Sequence, residues 1–508
     1  MIRRLHYLAA VALIALAAAA GAQELPPGID EYVEAARSKW QVPALSIAVV
    51  KDGKVVHLRG YGPRSIGGSE PVDGQTVFRL ASISKTFTAA TAALLVEEGK
   101  LTWDDPIRKH VPEFELHDRY LTEHVSLRDC LSHRVGLETG DIVARRGDLS
   151  RDEILARLRF LQPYSPFRGK FKYNNLMYVA AGETVARAAG QSWEDFLSRR
   201  LLVPLGMRST TPTFASLHAD NLATAYRLHD GELQAVTTAP IIDAVAPAGS
   251  VHSSAADMAR WLQFWLAEGE LDGQRLLQRG TVREMLAMHS TVPIERSDDS
   301  NIYRAKFYGW GLGWSVLDYR GRKIHTHAGG SGTFIGFMPE AGIGVVVLTN
   351  LEFTNLGGML MYDVFDAYLL DRERAWNRDQ WPLWLAVDEP PEITGDKARA
   401  KLDAMRKAGT SPTLSLAQLA GKYRSDLYGE IEILDGDGGL QLKLGRNPPV
   451  KLQHWQDDTF VSPGPEADAP WFDWLLKFRI TAGECEALDI ERIGWDEPLP
   501  TFHRAADS

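Results

Sequence analysis

With 508 residues the chain is longer than one hydrophobic core organises, so two or more folded units are expected. Hydrophobic residues make up 45% and charged residues 24%, the proportions of a soluble globular protein rather than a disordered or fibrous one. The net charge of −10 argues against a nucleic-acid partner, because binding phosphate needs a face rich in Lys and Arg.

Residues 1–22 read as a bacterial signal peptide. Arg3 and Arg4 precede an apolar run, Leu8 to Ala20, that is short for a bilayer span, and Ala20-Gly21-Ala22 offers small residues for cleavage after Ala22. The expected location is periplasmic or secreted; a retained membrane anchor is the competing reading. No cysteine follows the run to carry a lipid, and no later segment is apolar for long enough to span a membrane. Two of the 56 basic residues leave with the leader, so 54 then face 66 acidic ones, a net charge of −12. Only Cys130 and Cys485 are present, as two buried thiols or as a disulfide in an oxidising compartment.

Ile29 to Trp40 has helical periodicity. The stretch ALSIAVVKDGKVVHLRGYG holds two strand-like runs joined at Asp52-Gly53, a hairpin signal because both turn positions need φ > 0. A helix-rich stretch runs from Ser82 to about Leu217. Strand signals return at Tyr308–Leu317, Lys323–His327 and Gly344–Asn350, where GIGVVVLTN is apolar enough for a strand buried on both faces. Strands at both ends and helices between them predict an α+β unit over 23–386, one sheet formed by the two ends with helices packed on it. Trp376, Trp381 and Trp384 read as packing residues rather than substrate platforms. Residues 387–412, with prolines at both ends and a charged middle, read as a linker. From 413 to 508 alternating runs around Asp435–Gly439 and in WLLKFRITA predict a small all-β domain.

Three short elements carry chemistry. Ser82 and Lys85 lie three residues apart at the head of a helix-compatible run, a spacing that puts both side chains on one face. A serine needs a base to take its proton, and a lysine serves only when burial lowers its pKa. Serine is also a preferred helix cap and lysine a common surface residue, so a capped helix start is the competing reading. Phe78, Leu80, Ile83 and Phe87 favour a desolvated lysine. Tyr173-Asn174-Asn175, just before the apolar run Leu176–Ala189, offers a phenol for proton transfer and an amide for a substrate carbonyl; a turn with an Asn cap competes. His325 and His327 fall on one face of a strand that ends in Ala328-Gly329-Gly330, where glycines admit a ligand to the backbone. No ligand-spaced Cys, Asp or Glu stands near and no His-Glu-x-x-His occurs, so no metal is expected. His229-Asp230-Gly231 repeats His-x-Gly in a polar stretch and reads as a turn. Gly-x-Ser-x-Gly and P-loop signatures are absent.

Ser-x-x-Lys, Tyr-x-Asn and His-x-Gly in this order resemble the penicillin-recognising serine hydrolases, in the branch of class C β-lactamases, D,D-peptidases and EstB-type esterases. FRLASISKTFTA, LRDCLSHRVGL, PAGSVHSSAADMARWL, YGWGLGW and GVVVLTN resemble the same family, over residues 28–370. The C-terminal part, with Lys422-Tyr423 and Leu427-Tyr428-Gly429, is similar to the lipocalin-like β domain of some members.

This resemblance implies a β-lactamase-like fold, an antiparallel sheet with packed helices beside a separate helical region, and a serine hydrolase that works without a cofactor on a small-molecule or short-peptide substrate. It implies Ser82 as the acylated nucleophile, Lys85 as its base and Tyr173 as proton relay. Asn175 would hold substrate and place Lys85, while His327 and Gly329 line the site. The backbone N–H groups of Ser82 and Gly330 would bind the oxyanion. His327 stands where the family usually has lysine, and a neutral histidine suits a substrate carboxylate poorly. That departure favours ester, amide or D-amino-acid-containing peptide cleavage over β-lactam hydrolysis. A penicillin-binding or sensor protein with slow or no turnover, or a true β-lactamase, is the alternative.

Overall fold

The computed structural model describes residues 24–229, 232–236, 240–294, 304–370, 376–387, 402–436, 438–462, 474–492 and 501–505. The leader at 1–22, most of the expected linker (388–401) and the turn residues 230–231 lie outside the described residues.

Helix α1 (Ile29–Lys39) starts after Gly28 at φ 93, with Asp30 and Glu31 in its first turn and Arg37 and Lys39 in its last, each charge suited to the helix dipole. Strands β1 (Leu45–Lys51) and β2 (Lys54–Tyr61) form the expected hairpin, with Asp52 at φ 50 and Gly53 at φ 76. The helical region follows. Its central members are α2 (Ser84–Glu97), α3 (Asp141–Arg145), α4 (Asn175–Ala189) and α5 (Ala255–Leu266). The chain then returns to the sheet as β3 (Ser290–Thr291), β4 (Tyr308–Trp310), β5 (Ser315–Tyr319), β6 (Arg322–Gly329), β7 (Thr333–Met338) and β8 (Ile343–Thr349), and crosses it with α6 (Leu356–Leu369).

Among the described residues the sheet runs β2-β1-β8-β7-β6-β5-β4-β3, every pair antiparallel. The expected union of the two ends is the β1–β8 pair, in register from Leu45↔Thr349 to Lys51↔Ile343. Alternation explains why β8 is apolar throughout. Val346 and Leu348 face the core under α2, α4 and α5, whereas Ile343, Val345 and Val347 face α1 and α6. Helix α2 is buried from Ser84 to Leu95, and its alanines let α4 approach closely. Phe87 stacks on Trp261 of α5 with ring centroids 4.5 Å apart, which pins the first turn of α2 against α5.

The C-terminal unit is a nearly closed antiparallel barrel. Its first strand, Gly421–Ser425, pairs with its last, Phe502–Arg504. The two edges of the sheet, Val450–Lys451 and Gln453–Gln456, are one residue apart in the chain. Tyr423, Ile431, Leu440, Phe460, Phe478 and Leu488 are buried in it, in an apolar cluster continuous with the core around α2 and α4. Cys130 and Cys485 are separate buried free thiols, and the Tyr423 hydroxyl lies 3.2 Å from the Cys485 sulfur.

The tryptophans divide. Trp376 and Trp381 pack on Tyr32 of α1, and the Trp381 indole N–H donates to the Tyr32 hydroxyl at 2.7 Å. Trp384, in α7 (Trp381–Val387), instead stands against Tyr362 on the wall of the cavity described below. All three pack, Trp384 most deeply at 4% exposure, and Trp384 also lines the cavity.

Candidate active site

The strand Val77–Arg79 runs into a 3-10 turn, Ala81–Ile83, that precedes α2. Ala81 sits at φ 47, a left-handed conformation that costs about 1 kcal/mol or more for a residue with a Cβ. The kink sets Ser82 at the cavity wall and leaves α2 to begin at Ser84. Ser82 makes no capping hydrogen bond to the helix; Ser84 Oγ instead donates to the Ala81 carbonyl at 2.6 Å and accepts from Val251 N–H at 3.0 Å. The cap reading of Ser82 is thereby set aside.

Lys85 is fully buried. Its Nζ lies 3.2 Å from Ser82 Oγ and donates to the Ala248 carbonyl at 2.7 Å. Desolvation pulls its pKa down to about 7, with Asp141 acting in the opposite direction. The Tyr173 and Tyr178 rings lie 4.8 and 5.4 Å from the same nitrogen. Burial holds the Tyr173 phenol well above its ordinary value, partly offset by a hydrogen bond with Ser82. Tyr173 owes its place to the cap behind it. Asn174 Oδ1 accepts from Met177 N–H at 3.0 Å to start α4, while its backbone N–H donates to His133 Nδ1 at 3.1 Å. The Asn cap is thus present at Asn174, and it leaves Tyr173 facing the Lys85 amine and the cavity. Asn175, the first residue of α4, donates through Nδ2 to Asp141 Oδ1 at 3.0 Å.

The opposite wall is the end of β6. The carbonyl of Ala328 stands 2.9 Å from His327 Nδ1, which fixes the proton there and leaves Nε2 as an acceptor. That Nε2 is buried and has no hydrogen-bond partner among the described residues. Burial, and then Lys85, lower the imidazole pKa to about 3, so His327 is neutral at ordinary pH. The turn after β6 is latched to the nucleophile turn. Ser331 Oγ donates to the Arg79 carbonyl at 2.8 Å and Thr333 Oγ1 to that of Leu80 at 3.3 Å. Gly329 approaches so closely that a Cβ there would lie 2.3 Å from the Leu80 carbonyl oxygen. Gly330 lies next to this latch, and the N–H groups of the first helical turn have no intrahelical acceptor.

Ser82, Tyr173 and His327 open on one cavity of about 550 Å³, whose other walls include Phe171, Trp310, Phe334, Met361, Tyr362 and Trp384. No Lys, Arg, Asp or Glu contributes to its wall among the described residues. Thus Ser82, Lys85, Tyr173 and His327 converge as expected, with Gly329 and Gly330 alongside; Asn175 reaches Asp141 rather than Lys85. Asp141, the Ala248 carbonyl, His133 and the aromatic walls had no spacing signal, because tertiary packing alone brings them here.

The family model described as beta-lactamase matches residues 29–363. The chain belongs to the beta-lactamase family. A second model, a domain of unknown function (DUF3471), matches residues 405–504. The chain is 28% identical to the unguisins hydrolase of Aspergillus violaceofuscus over 94% of this chain and 89% of that one. It is 29% identical to penicillin-binding protein 4 of Amycolatopsis lactamdurans over 63% of this chain and 84% of that one. In fold it is similar to the octameric penicillin-binding protein homologue of Pyrococcus abyssi, with a TM-score of 0.60 and 22% identity over 91% of this chain and 97% of the other. EstCE1, a hydrolase with promiscuous acyltransferase activity, has a TM-score of 0.56 at 21% identity, over 67% and 98% of the two chains. Family and relatives mark the chain as a beta-lactamase-fold hydrolase.

Proposed function

We propose that the protein is an exported serine hydrolase that forms an acyl-enzyme on Ser82 and cleaves esters, amides or D-amino-acid-containing peptides with neutral, apolar acyl groups. The observation that carries this is the buried Lys85 amine, with a pKa near 7, 3.2 Å from Ser82 Oγ. One of its N–H bonds is engaged by the Ala248 carbonyl, so the neutral amine keeps its lone pair for the serine proton.

Ser82 Oγ attacks the substrate carbonyl as Lys85 takes its proton, and the backbone N–H groups of Ser82 and Gly330 receive the oxyanion. Tyr173 passes a proton to the departing alcohol or amine. Water then attacks the acyl-enzyme, giving up a proton through the same pair, and the released acid leaves Ser82 free. The neutral His327 and the uncharged cavity wall support an acyl group without a carboxylate. Likeness to an unguisins hydrolase over most of both chains supports turnover rather than binding alone. The leader-like residues 1–22 support export.

Steady-state rates on p-nitrophenyl butyrate, a D-amino amide and a chromogenic cephalosporin, with Ser82→Ala as control, test the reading. Turnover of the first two and an acid limb of kcat/KM near pH 7 are expected. Dominant cephalosporin turnover, or activity retained in Ser82→Ala, overturns it. A fluorescent penicillin that persists on Ser82 without turnover favours a sensor, the reading to which the likeness to penicillin-binding protein 4 lends support.

A further inference from the structure

The barrel bears on the turn that follows α3, not on the cavity: none of its described residues lines the cavity wall. Arg146, buried there at 5% exposure, forks on the Asp148 carboxylate through Nε and Nη2 at 2.9 and 2.7 Å. Its Nη1 donates to the barrel carbonyls of Tyr428 and Glu430 at 2.8 and 2.6 Å. Arg446 N–H donates back to the Arg146 carbonyl at 3.0 Å. Gly445, at φ 57, lies so close that a Cβ there would stand 2.3 Å from that oxygen. A planar guanidinium with this many acceptors is held in one geometry. Five residues earlier the same segment carries Asp141, the acceptor of Asn175 Nδ2.

We propose that Arg146 is a positioning residue through which the barrel holds Asp141 against Asn175 and the Lys85–Tyr173 pair, and so sets the acylation step. The inference rests on the serine-hydrolase reading. The groups that face Lys85 are Ser82 from its own turn, Tyr173 and Tyr178 from the α4 side, Asp141 from α3, His133 from the loop before α3 and His327 from β6. Burial keeps both histidines and both tyrosines neutral, so Asp141 is the anion among them. Its carboxylate favours the protonated amine. Moving it away makes Lys85 lose its proton more readily, and the acid limb of kcat/KM falls to lower pH.

The test uses the full chain with p-nitrophenyl butyrate across pH 5 to 9, in Asp141→Asn, Arg146→Ala, Gly445→Ala and the double variant Asp141→Asn/Arg146→Ala. Each single change is expected to move the acid limb down by about half a pH unit or more. For Arg146→Ala, kcat should fall about tenfold with KM changed less than twofold, because an interaction made in the transition state is lost. Arg146→Lys should fall between wild type and Arg146→Ala, and the double variant should shift no further than Asp141→Asn alone. A folded Arg146→Ala protein with an unmoved limb and kcat, or additive shifts in the double variant, overturns the positioning role even if its melting temperature drops. If Arg146→Ala yields no soluble protein, Gly445→Ala decides from the barrel side, and its unmoved limb is equally fatal. A fluorophosphonate separates the two levels. Failure to label Ser82 in the wild type overturns the parent reading, whereas labelled Ser82 with unmoved limbs overturns this one alone.

Discussion

Lys85 answers to stability and to chemistry in opposite senses. An amine with a pKa of 10.5 in an ordinary setting is pulled to about 7 by complete burial. Between those two values the unfolded chain binds a proton that the folded chain does not, so wild-type stability rises with pH through that window. Below it the folded state carries the whole cost, on the order of 5 kcal/mol at about 1.4 kcal/mol per pH unit. Lys85→Met removes that cost and forgoes a hydrogen bond to the Ala248 carbonyl, worth about 1 kcal/mol. The variant should be inactive yet melt a few degrees above wild type at pH 7, with the gap closing toward pH 10. Thermal melts of both proteins at pH 7, 8.5 and 10 measure it, and a gap that is absent at pH 7 or constant to pH 10 counts against a neutral buried amine. The spacing of Ser82 and Lys85 was legible in the sequence because one helical turn is a local rule. Asp141 and Ala248, which tune and hold the same amine, were not, since no local rule links position 85 to 141 or 248.

At the scale of elements, the site depends on how the β6–β7 turn meets the turn before α2. Two adjacent glycines do different work there. Gly329 approaches the Leu80 carbonyl oxygen to within the space of a Cβ, whereas a Cβ on Gly330 would meet only the Phe353 ring at 3.5 Å, an ordinary contact. Alanine retains the backbone N–H in either case, so the contrast isolates the spacing of the walls. Gly329→Ala should push the turn off Leu80, widen the gap between the Gly330 N–H and Ser82, and cost kcat about a hundredfold, the loss typical of an oxyanion donor put out of place. Gly330→Ala should stay within about threefold of wild type, as ordinary van der Waals contact carries no such penalty. Burst amplitudes and kcat for the two variants settle the matter, and equal losses would contradict the latch. The sequence marked His327-Ala328-Gly329 as a close-approach motif, and the Asp52–Gly53 and Asp435–Gly439 turns as hairpins, because glycine and turn residues report backbone conformation directly. Trp384 shows the limit of such reading. Its packing role was legible beside Trp376 and Trp381, but only the path of α7 across Tyr362 shows that it also lines the cavity wall.

For the whole molecule, the alternating pattern of residues 413–508 announced a β domain, but not what its surface meets. Tyr428 and Leu427 are buried at the barrel end and belong to the same apolar cluster as Leu155 and Tyr178, so the barrel and the hydrolase unit share a core instead of touching through solvent. Arg146 adds its bonds to two barrel carbonyls at the centre of that contact. An interface built from apolar burial and a desolvated arginine resists salt, since screening acts on exposed charges. Covalent continuity through residues 388–401 should therefore be dispensable once the protein has folded. With a protease site introduced in that stretch and cut in the folded protein, the two pieces are expected to co-elute on gel filtration in both 0.1 and 1 M NaCl, and to keep more than half of the uncut esterase rate. Arg146→Ala in the same background should weaken the association, because it removes the charged donor shared by the Tyr428 and Glu430 carbonyls. Pieces that separate in low salt with the arginine intact would show the shared core to be too small to hold the barrel, and its influence on Lys85 would then have to pass through the chain alone.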